Sequence, residues 1–249
     1  MTRIKLSKIS TAPPEKSDKE TTKAATKVFI EELDELQNLL YAQHKHSVLV
    51  ILQGMDASGK DGAVRNVLGQ MNPLGVRVYP FKAPTQDELD HDFLWRVHAH
   101  VPAKGMIHVF NRSHYEDVLV QRVHKWVDEK TIQKRMGAIN DFEKLLTEHN
   151  STHILKFYLH VSREEQARRL QERTEDPRKM WKYNANDQKE ALLWKQYRNA
   201  YEDVFEHCSY VPWHIVPADH NWYKEYLVAK TLRDILKKLK MKYPAIKQK

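Results

Sequence analysis

The chain has 249 residues, 41% apolar and 30% charged, enough to bury the core of one large domain. Its 41 Lys and Arg against 33 Asp and Glu give a net charge of +8, which suits a polyanionic partner as well as an ordinary solvated surface. The longest apolar run, VLVIL at 48–52, is far short of the roughly 20 residues that span a bilayer. MTRIKLSKIS lacks the apolar core of a secretory signal, and the lone Cys208 excludes an internal disulfide framework. A cytoplasmic protein with no membrane segment is expected.

Residues 1–23 mix Lys, Ser, Thr, Glu and a Pro pair and read as an N-terminal arm, loose or ordered on docking. Residues 24–249 read as a single domain. Val28, Leu33, Leu36, Leu40 and Tyr41 predict an amphipathic helix from about Lys23 to His46. SVLVILQ (47–53) reads as a buried strand feeding the glycine-containing GMDASGKDG (54–62), and AVRNVLGQM (63–71) as the helix leaving it. Next come a strand at VRVYPF (76–81), a helix at ELDHDFLWRVHAHV (88–101) and a strand at MIHVFNRS (106–113). TIQKRMGAINDFEKLLTEHN (131–150) predicts a helix and HILKFYLHV (153–161) a strand. An arginine-rich helix starts at Ser162, is interrupted by EDPRKMWKYNAND (175–187), and resumes over 188–208; WHIVPA (213–218) is a last strand, and 221–240 a closing helix. Strands alternating with helices predict an α/β fold with a parallel sheet covered on both faces. Ligands in such sheets bind beyond the carboxyl ends of the strands, where GMDASGKDG, FKAPT and NRSHYED fall.

Gly54, Gly59 and Lys60 hold the G-x-x-x-x-G-K spacing of a phosphate loop between a strand and a helix. Together with Met55, Ala57, Ser58 and Gly62 they form a backbone cradle for phosphate oxygens, and Lys60 adds a mobile positive charge. Asp61 stands where this motif ordinarily places a hydroxyl, and Asp56 lies inside the loop. Carboxylates repel bare phosphate by about 1 kcal/mol at 4 Å in water and more in a cleft, so a divalent cation between them makes the arrangement favourable. Asp61 also suits the positive end of the following helix.

Asn111, Arg112, Glu116 and Asp117 form a second candidate metal-holding segment, although Glu116 and Asp117 equally suit a helix start. If this stretch is helical, Ser113 and Asp117 share a face, as do Asp117 and Gln121. Arg65, Lys82 and Arg112, with Arg122 further on, form a candidate basic shell. Arg169 and Arg173 share one helical face while Arg168 points elsewhere, and Glu164, Glu165, Glu172, Glu175 and Asp176 dilute the charge. That helix is therefore either a lid over 163–190 that neutralises phosphate or an exposed salt-bridged surface. The 14 histidines lack metal spacing, and Trp95, Trp181 and Trp194 read as packing residues.

The segments GMDASGKDG, NPLGVRVYPFKAPT, DFLWR, VFNRSHYEDVL, ERTEDPRKMWKYNANDQKE and WHIVPADHNWYK together resemble the polyphosphate kinase 2 family. The resemblance covers roughly residues 25–235. It implies a thymidylate-kinase-like P-loop core with a helical lid, dependence on Mg²⁺ (with Mn²⁺ as a substitute), and reversible phosphoryl transfer from inorganic polyphosphate to AMP or ADP, giving ADP or ATP. It further implies catalytic roles for Asp56, Lys60, Asp61, Arg112, Arg169 and Arg173, and a dimer or tetramer; the residues themselves read as Asp56, Asp61 and Asp117, with Glu116, holding or orienting the metal, which puts Asp117 among the catalytic residues too. Relatives of the first two subclasses tend to read DRSWYN where this chain reads NRSHYE, so an acidic group is retained in a shifted place; this is similar to the third subclass, which accepts both AMP and ADP. An ATP-dependent kinase on the same core and a non-catalytic polyanion-binding module remain the alternatives. The chain lacks the aromatic-basic interleaving of a nucleic-acid binder.

Overall fold

The computed structural model describes residues 4–245. Five parallel strands, β1 (Ser47–Gln53), β2 (Val76–Pro80), β3 (Ile107–Asn111), β4 (Thr152–His160) and β5 (Trp213–Pro217), form one sheet in the order β2-β3-β1-β4-β5. Ten α-helices surround it among the described residues: α1 (Lys19–Gln43), α2 (Lys60–Asn66), α3 (Gln86–Leu89), α4 (Trp95–His98), α5 (Glu116–Val123), α6 (Glu129–Asn150), α7 (Arg163–Glu175), α8 (Ala185–Leu192), α9 (Trp194–His207) and α10 (Asn221–Lys238). The expected α/β class holds. β1 is buried along its whole length and pairs with β3 on one side and β4 on the other, so its continuous run of Val, Leu and Ile is what a central parallel strand demands. Its carboxyl end therefore opens at the middle of the sheet edge, between the ends of β3 and β4.

Several boundaries differ from the sequence reading for local reasons. α1 starts at Lys19 because the Asp18 carboxylate accepts the Thr21 N–H at 2.8 Å, an N-cap. Its buried face is carried by Leu33, Gln37 and Leu40, whereas Val28 and Tyr41 are 50% and 51% exposed. The single helix expected over 88–101 is two short ones. Thr85 and Glu88 cap α3 reciprocally, and the Asp92 side chain accepts the Leu94 N–H at 2.9 Å, a local turn that competes with helix. The helix expected over 188–208 breaks at Leu193 into α8 and α9. Residues before α1 lie against the domain: the Leu6 N–H donates to Glu202 at 3.0 Å, Lys5 pairs with Glu202 at 2.9 Å, and the Thr11 hydroxyl donates to Asp219 at 2.6 Å.

The core contains one fully satisfied polar cluster. The Lys156 ammonium donates to Glu143 at 2.8 Å, to the Tyr115 hydroxyl at 2.9 Å and to the Cys208 carbonyl at 2.9 Å, while the Tyr115 hydroxyl donates to Glu143 at 2.6 Å. Each member has its partners, as burial of charge requires. His114 is the opposite case. It is fully buried, and neither ring nitrogen has a hydrogen-bond partner among the described residues. Burial, with Lys156 nearby, pushes its pKa down to about 3. The unfolded chain therefore takes up this proton first as pH falls. The stabilisation is present above the unfolded pKa near 6.5 and is lost progressively toward pH 3, at about 1.4 kcal/mol per pH unit. Replacing His114 with Phe is expected to make the fall in denaturant-measured stability between pH 6.5 and 4 shallower by about one proton's worth. An acid limb of unchanged slope would show that His114 is not its source.

Candidate active site

β1 ends at Gln53 and delivers the loop 54–59 to the start of α2. Gly59 has φ +94° and Ala57 φ +58°, left-handed conformations that turn the chain sharply. Five of the six loop carbonyls are held by a side-chain donor. Lys60 donates to the Gly54 and Met55 carbonyls at 2.8 and 3.1 Å. Gln166 donates to Asp56 O at 3.0 Å, Arg169 to Ala57 O at 3.1 Å, and Lys224 to Gly59 O at 3.0 Å. The Tyr201 hydroxyl accepts the Gly54 N–H at 3.2 Å. Lys60 is buried, and that burial, reinforced by Arg112, lowers its pKa to about 8.

Each loop carboxylate meets a cation from a distant segment. Arg112, a non-glycine residue at φ +64°, pairs with Asp56 and, at 3.3 Å, with Glu116. Such a backbone is costly, on the order of 1–3 kcal/mol, and persists where surroundings enforce it. Burial alone would raise the Asp56 carboxyl, but Arg112 and Lys60 outweigh it and hold the group below the usual carboxylate range. Asp61 accepts from the Asn111 amide at 2.9 Å and the Lys182 ammonium at 2.8 Å. These contacts overcome its partial burial and likewise lower its pKa. Asp117 accepts from Gln121 at 2.7 Å and lies 3.7 Å from Arg96 and 4.0 Å from Arg135. Its desolvation dominates and raises its pKa to about 6.

A cleft of about 680 Å³ opens beside the loop. Gly54, Met55, Asp56, Lys82, Arg112, Glu116 and Asp117 line it, with Trp194, Tyr197 and Tyr201 across from α9. Two of the expected basic residues lie elsewhere. Arg65 is exposed at the end of α2, bonded to Asn66 at 3.1 Å, because the helix turns it away from the loop. Arg122 pairs with Glu129 and Asp203. Ser113 precedes α5, so its shared helical face with Asp117 does not form, whereas the Asp117–Gln121 pair does. Arg169 is turned onto the Ala57, Ala218 and Asp219 carbonyls, and Arg173 pairs with Asp187, which lines the cleft. Of the tryptophans, Trp194 packs against the core, while Trp95 and Trp181 are exposed.

The four carboxylates expected to hold metal do not form a common cluster, and no group of three or more His, Cys, Asp or Glu with metal-holding geometry occurs among the described residues. Glu116 is committed to Arg112, and Asp117 to Arg96, Gln121 and Arg135. Mg²⁺ needs no such cage, since it keeps waters and takes one or two carboxylates together with substrate phosphates. Asp61, 63% exposed at the first turn of α2, and Asp56 fit that more limited demand. Sequence reasoning missed Lys224, Gln166, Tyr201, Lys182 and Arg96. All act from outside the motif; Lys224 and Lys182 lie in segments that carried the family resemblance, which marked the stretches without indicating what each side chain touches.

A parallel sheet with a phosphate loop at its central strand, and ion pairs joining that loop to the neighbouring strand end and helices, defines a P-loop kinase. The polyphosphate kinase 2 family model matches residues 16–245, and the chain belongs to that family. It is 48% identical to the AMP/ADP-polyphosphate phosphotransferase of Meiothermus ruber, with 91% of this chain and 85% of the relative covered. It is 42% identical to the ADP-polyphosphate phosphotransferase of Rhodopseudomonas palustris, covering 86% and 79% respectively. The crystal structure of polyphosphate kinase 2 from Arthrobacter aurescens TC1 superposes with a TM-score of 0.96 at 41% identity, over 100% of this chain and 90% of that one.

The two arginines of α7 now separate experimentally. Arg169→Ala removes donors from three part-buried carbonyls and is expected to cost about 1–3 kcal/mol of stability as well as turnover. Arg173→Ala is expected to lower turnover with stability within about 0.5 kcal/mol of the parent. Denaturant unfolding of both variants checks this; equal stability losses would place the two residues in the same role.

Proposed function

We propose that the protein transfers phosphoryl groups reversibly between inorganic polyphosphate and AMP or ADP, yielding ADP or ATP, with Mg²⁺ at the site. The observation that carries this reading is a phosphate loop with a carboxylate in the hydroxyl position beside a cleft of nucleotide size, in a chain 48% identical to an AMP/ADP-polyphosphate phosphotransferase. The loop backbone from Gly54 to Gly62, with Lys60 and Arg112, binds the donor phosphates, and Lys82 extends that charge along the cleft. Asp56 and Asp61 would hold Mg²⁺, which when bound neutralises phosphate charge and orients its oxygens. Arg112 and Lys182, which now pair with these carboxylates, would then be free to face phosphate. The stretch 163–190 acts as the lid, with Arg173 reaching the transferring group when Asp187 gives it up.

The acceptor oxygen belongs to a nucleotide phosphate that is already anionic near neutral pH, so the attack needs no strong general base. The oxygen adds to the terminal phosphorus of the chain, the bridging P–O bond breaks, and the shortened chain leaves with the bond electrons. Positioning and charge neutralisation by Lys60, Arg112 and Arg173 therefore dominate. Homo-oligomerisation and a cytoplasmic location are parts of the same reading; no helix among the described residues is long and apolar enough to cross a membrane.

Purified protein with AMP, polyphosphate and Mg²⁺ is expected to form ADP and then ATP with no nucleoside triphosphate added. Product only with ATP as donor would instead assign an ordinary nucleotide kinase, and no turnover with either donor a binding module. Stripping divalent ions with a chelator is expected to lower turnover at least 100-fold, and adding Mg²⁺ or Mn²⁺ to restore it. Undiminished chemistry in metal-free protein would remove the role given to Asp56 and Asp61. Lys60→Ala is expected to lower kcat/KM at least 100-fold, about 2.7 kcal/mol, with a native circular dichroism spectrum. A loss under tenfold would take Lys60 out of the mechanism.

A further inference from the structure

We propose that Lys224 is a positioning residue for the phosphate loop: its ammonium, buried behind Gly59, fixes that carbonyl and sets a positive charge behind the seat of the donor phosphates. The inference rests on the polyphosphate reading of the site and concerns a residue outside the loop motif. Lys224 lies one turn into α10 and is 0% exposed. Its Nζ donates to Gly59 O at 3.0 Å and to Asn221 Oδ1 at 2.8 Å. The same Gly59 carbonyl accepts the Ala63 N–H at 3.1 Å, so the ammonium sits beside the first turn of α2. A Cβ on Gly59 would lie 2.5 Å from Nζ, which leaves glycine as the residue that admits this approach.

The placement is unfavourable by itself. A cation at the N-terminus of a helix opposes the macrodipole, and a buried ammonium needs a counter-charge. The carboxylate facing it, Glu225, stands 4.0 Å away and also accepts from the Asn66 amide. Arg169 approaches the same glycine from α7, adding like charge, and Asp61 across the turn is bonded to Lys182. A purely structural bond to one carbonyl could be supplied by a neutral donor, as Gln166 supplies it to Asp56. A lysine buried here gains its compensation when an anion occupies the front of the loop, where it adds to the field of Lys60 and the α2 amides.

Three proteins test this: the parent, Lys224→Gln, which keeps a donor without the charge, and Lys224→Met, which keeps neither. Binding of inorganic tripolyphosphate with Mg²⁺ is followed by calorimetry, and turnover with long-chain polyphosphate and AMP by steady-state kinetics. In Lys224→Gln the tripolyphosphate Kd and the polyphosphate KM are expected to rise at least tenfold, with kcat within threefold and the AMP KM unchanged; Lys224→Met should do at least as much. Values within twofold of the parent in Lys224→Gln would overturn the proposal, as would an equal loss in kcat and in AMP affinity, which marks general disruption. Should Lys224→Met not fold, the Gln variant carries the test. Should the parent bind tripolyphosphate without turning over, the functional reading fails and the Kd comparison still decides Lys224.

Discussion

The site depends on one constraint: the carbonyls of the loop between β1 and α2 must find donors on the elements packed around it. A buried carbonyl without a partner is costly, and the loop's local bonds, Ser58 N–H to Met55 O and Ala63 N–H to Gly59 O, reach only two of them. Here Lys60, Gln166, Arg169 and Lys224 take Gly54, Met55, Asp56, Ala57 and Gly59 between them. These donors come from α2, α7 and α10, with Tyr201 of α9 holding the loop's first amide. The loop is thus shaped by the packed domain, and its conformation is only as good as the docking of those helices on the sheet. Preorganisation of this kind makes oriented dipoles effective, because nothing has to reorganise when phosphate charge arrives.

The same reasoning explains why an anion-binding loop tolerates two carboxylates. Neither is left facing the cleft unpaired: Asp56 meets Arg112 from the end of β3, and Asp61 meets Asn111 from the same strand end and Lys182 from the segment after α7. The half-buried Asp56–Arg112 pair gains from a lowered dielectric, whereas the exposed Asp61–Lys182 pair contributes about 1 kcal/mol at most, so these contacts join loop, strand end and the segment after α7 without locking them. The ion pairs leave neither carboxylate of the loop without a cationic partner.

Much of the fold was legible because its signals are local. The unbroken apolar run of β1, the glycine loop after it and the alternation of strands and helices each follow from spacing alone, and the sheet confirms all five expected strands. Where tertiary or side-chain competition decides, the sequence was silent or misleading. Apolar spacing assigned Val28 and Tyr41 to the buried face of α1, whereas Gln37 takes that place. Asp92 broke an expected helix by accepting the Leu94 N–H. Spacing likewise identified Lys60 and Asp61, but nothing about Arg65 shows from sequence that α2 turns it outward, nor about Arg169 that it faces loop carbonyls. Lys224 lies more than 160 positions from Gly59, and a contact at that range exists only once α10 is docked.

Imperfectly satisfied polar groups occur in the scaffold, at His114 and Gln37, and also beside the phosphate loop, where they carry charge. Deep in the core, the cluster of Lys156, Glu143 and Tyr115 has every charge and hydroxyl bonded, so it adds rigidity without further demand. Along the carboxyl ends of the strands the balance changes. Asp117 leaves one buried oxygen without a hydrogen-bond partner, and Lys224 lacks a close carboxylate. Lys60 spends its ammonium on backbone carbonyls, and Arg112 occupies a left-handed conformation. Each would be a defect in a protein selected for stability alone. Together at one sheet edge they describe a surface whose uneven charge a bound anion would offset.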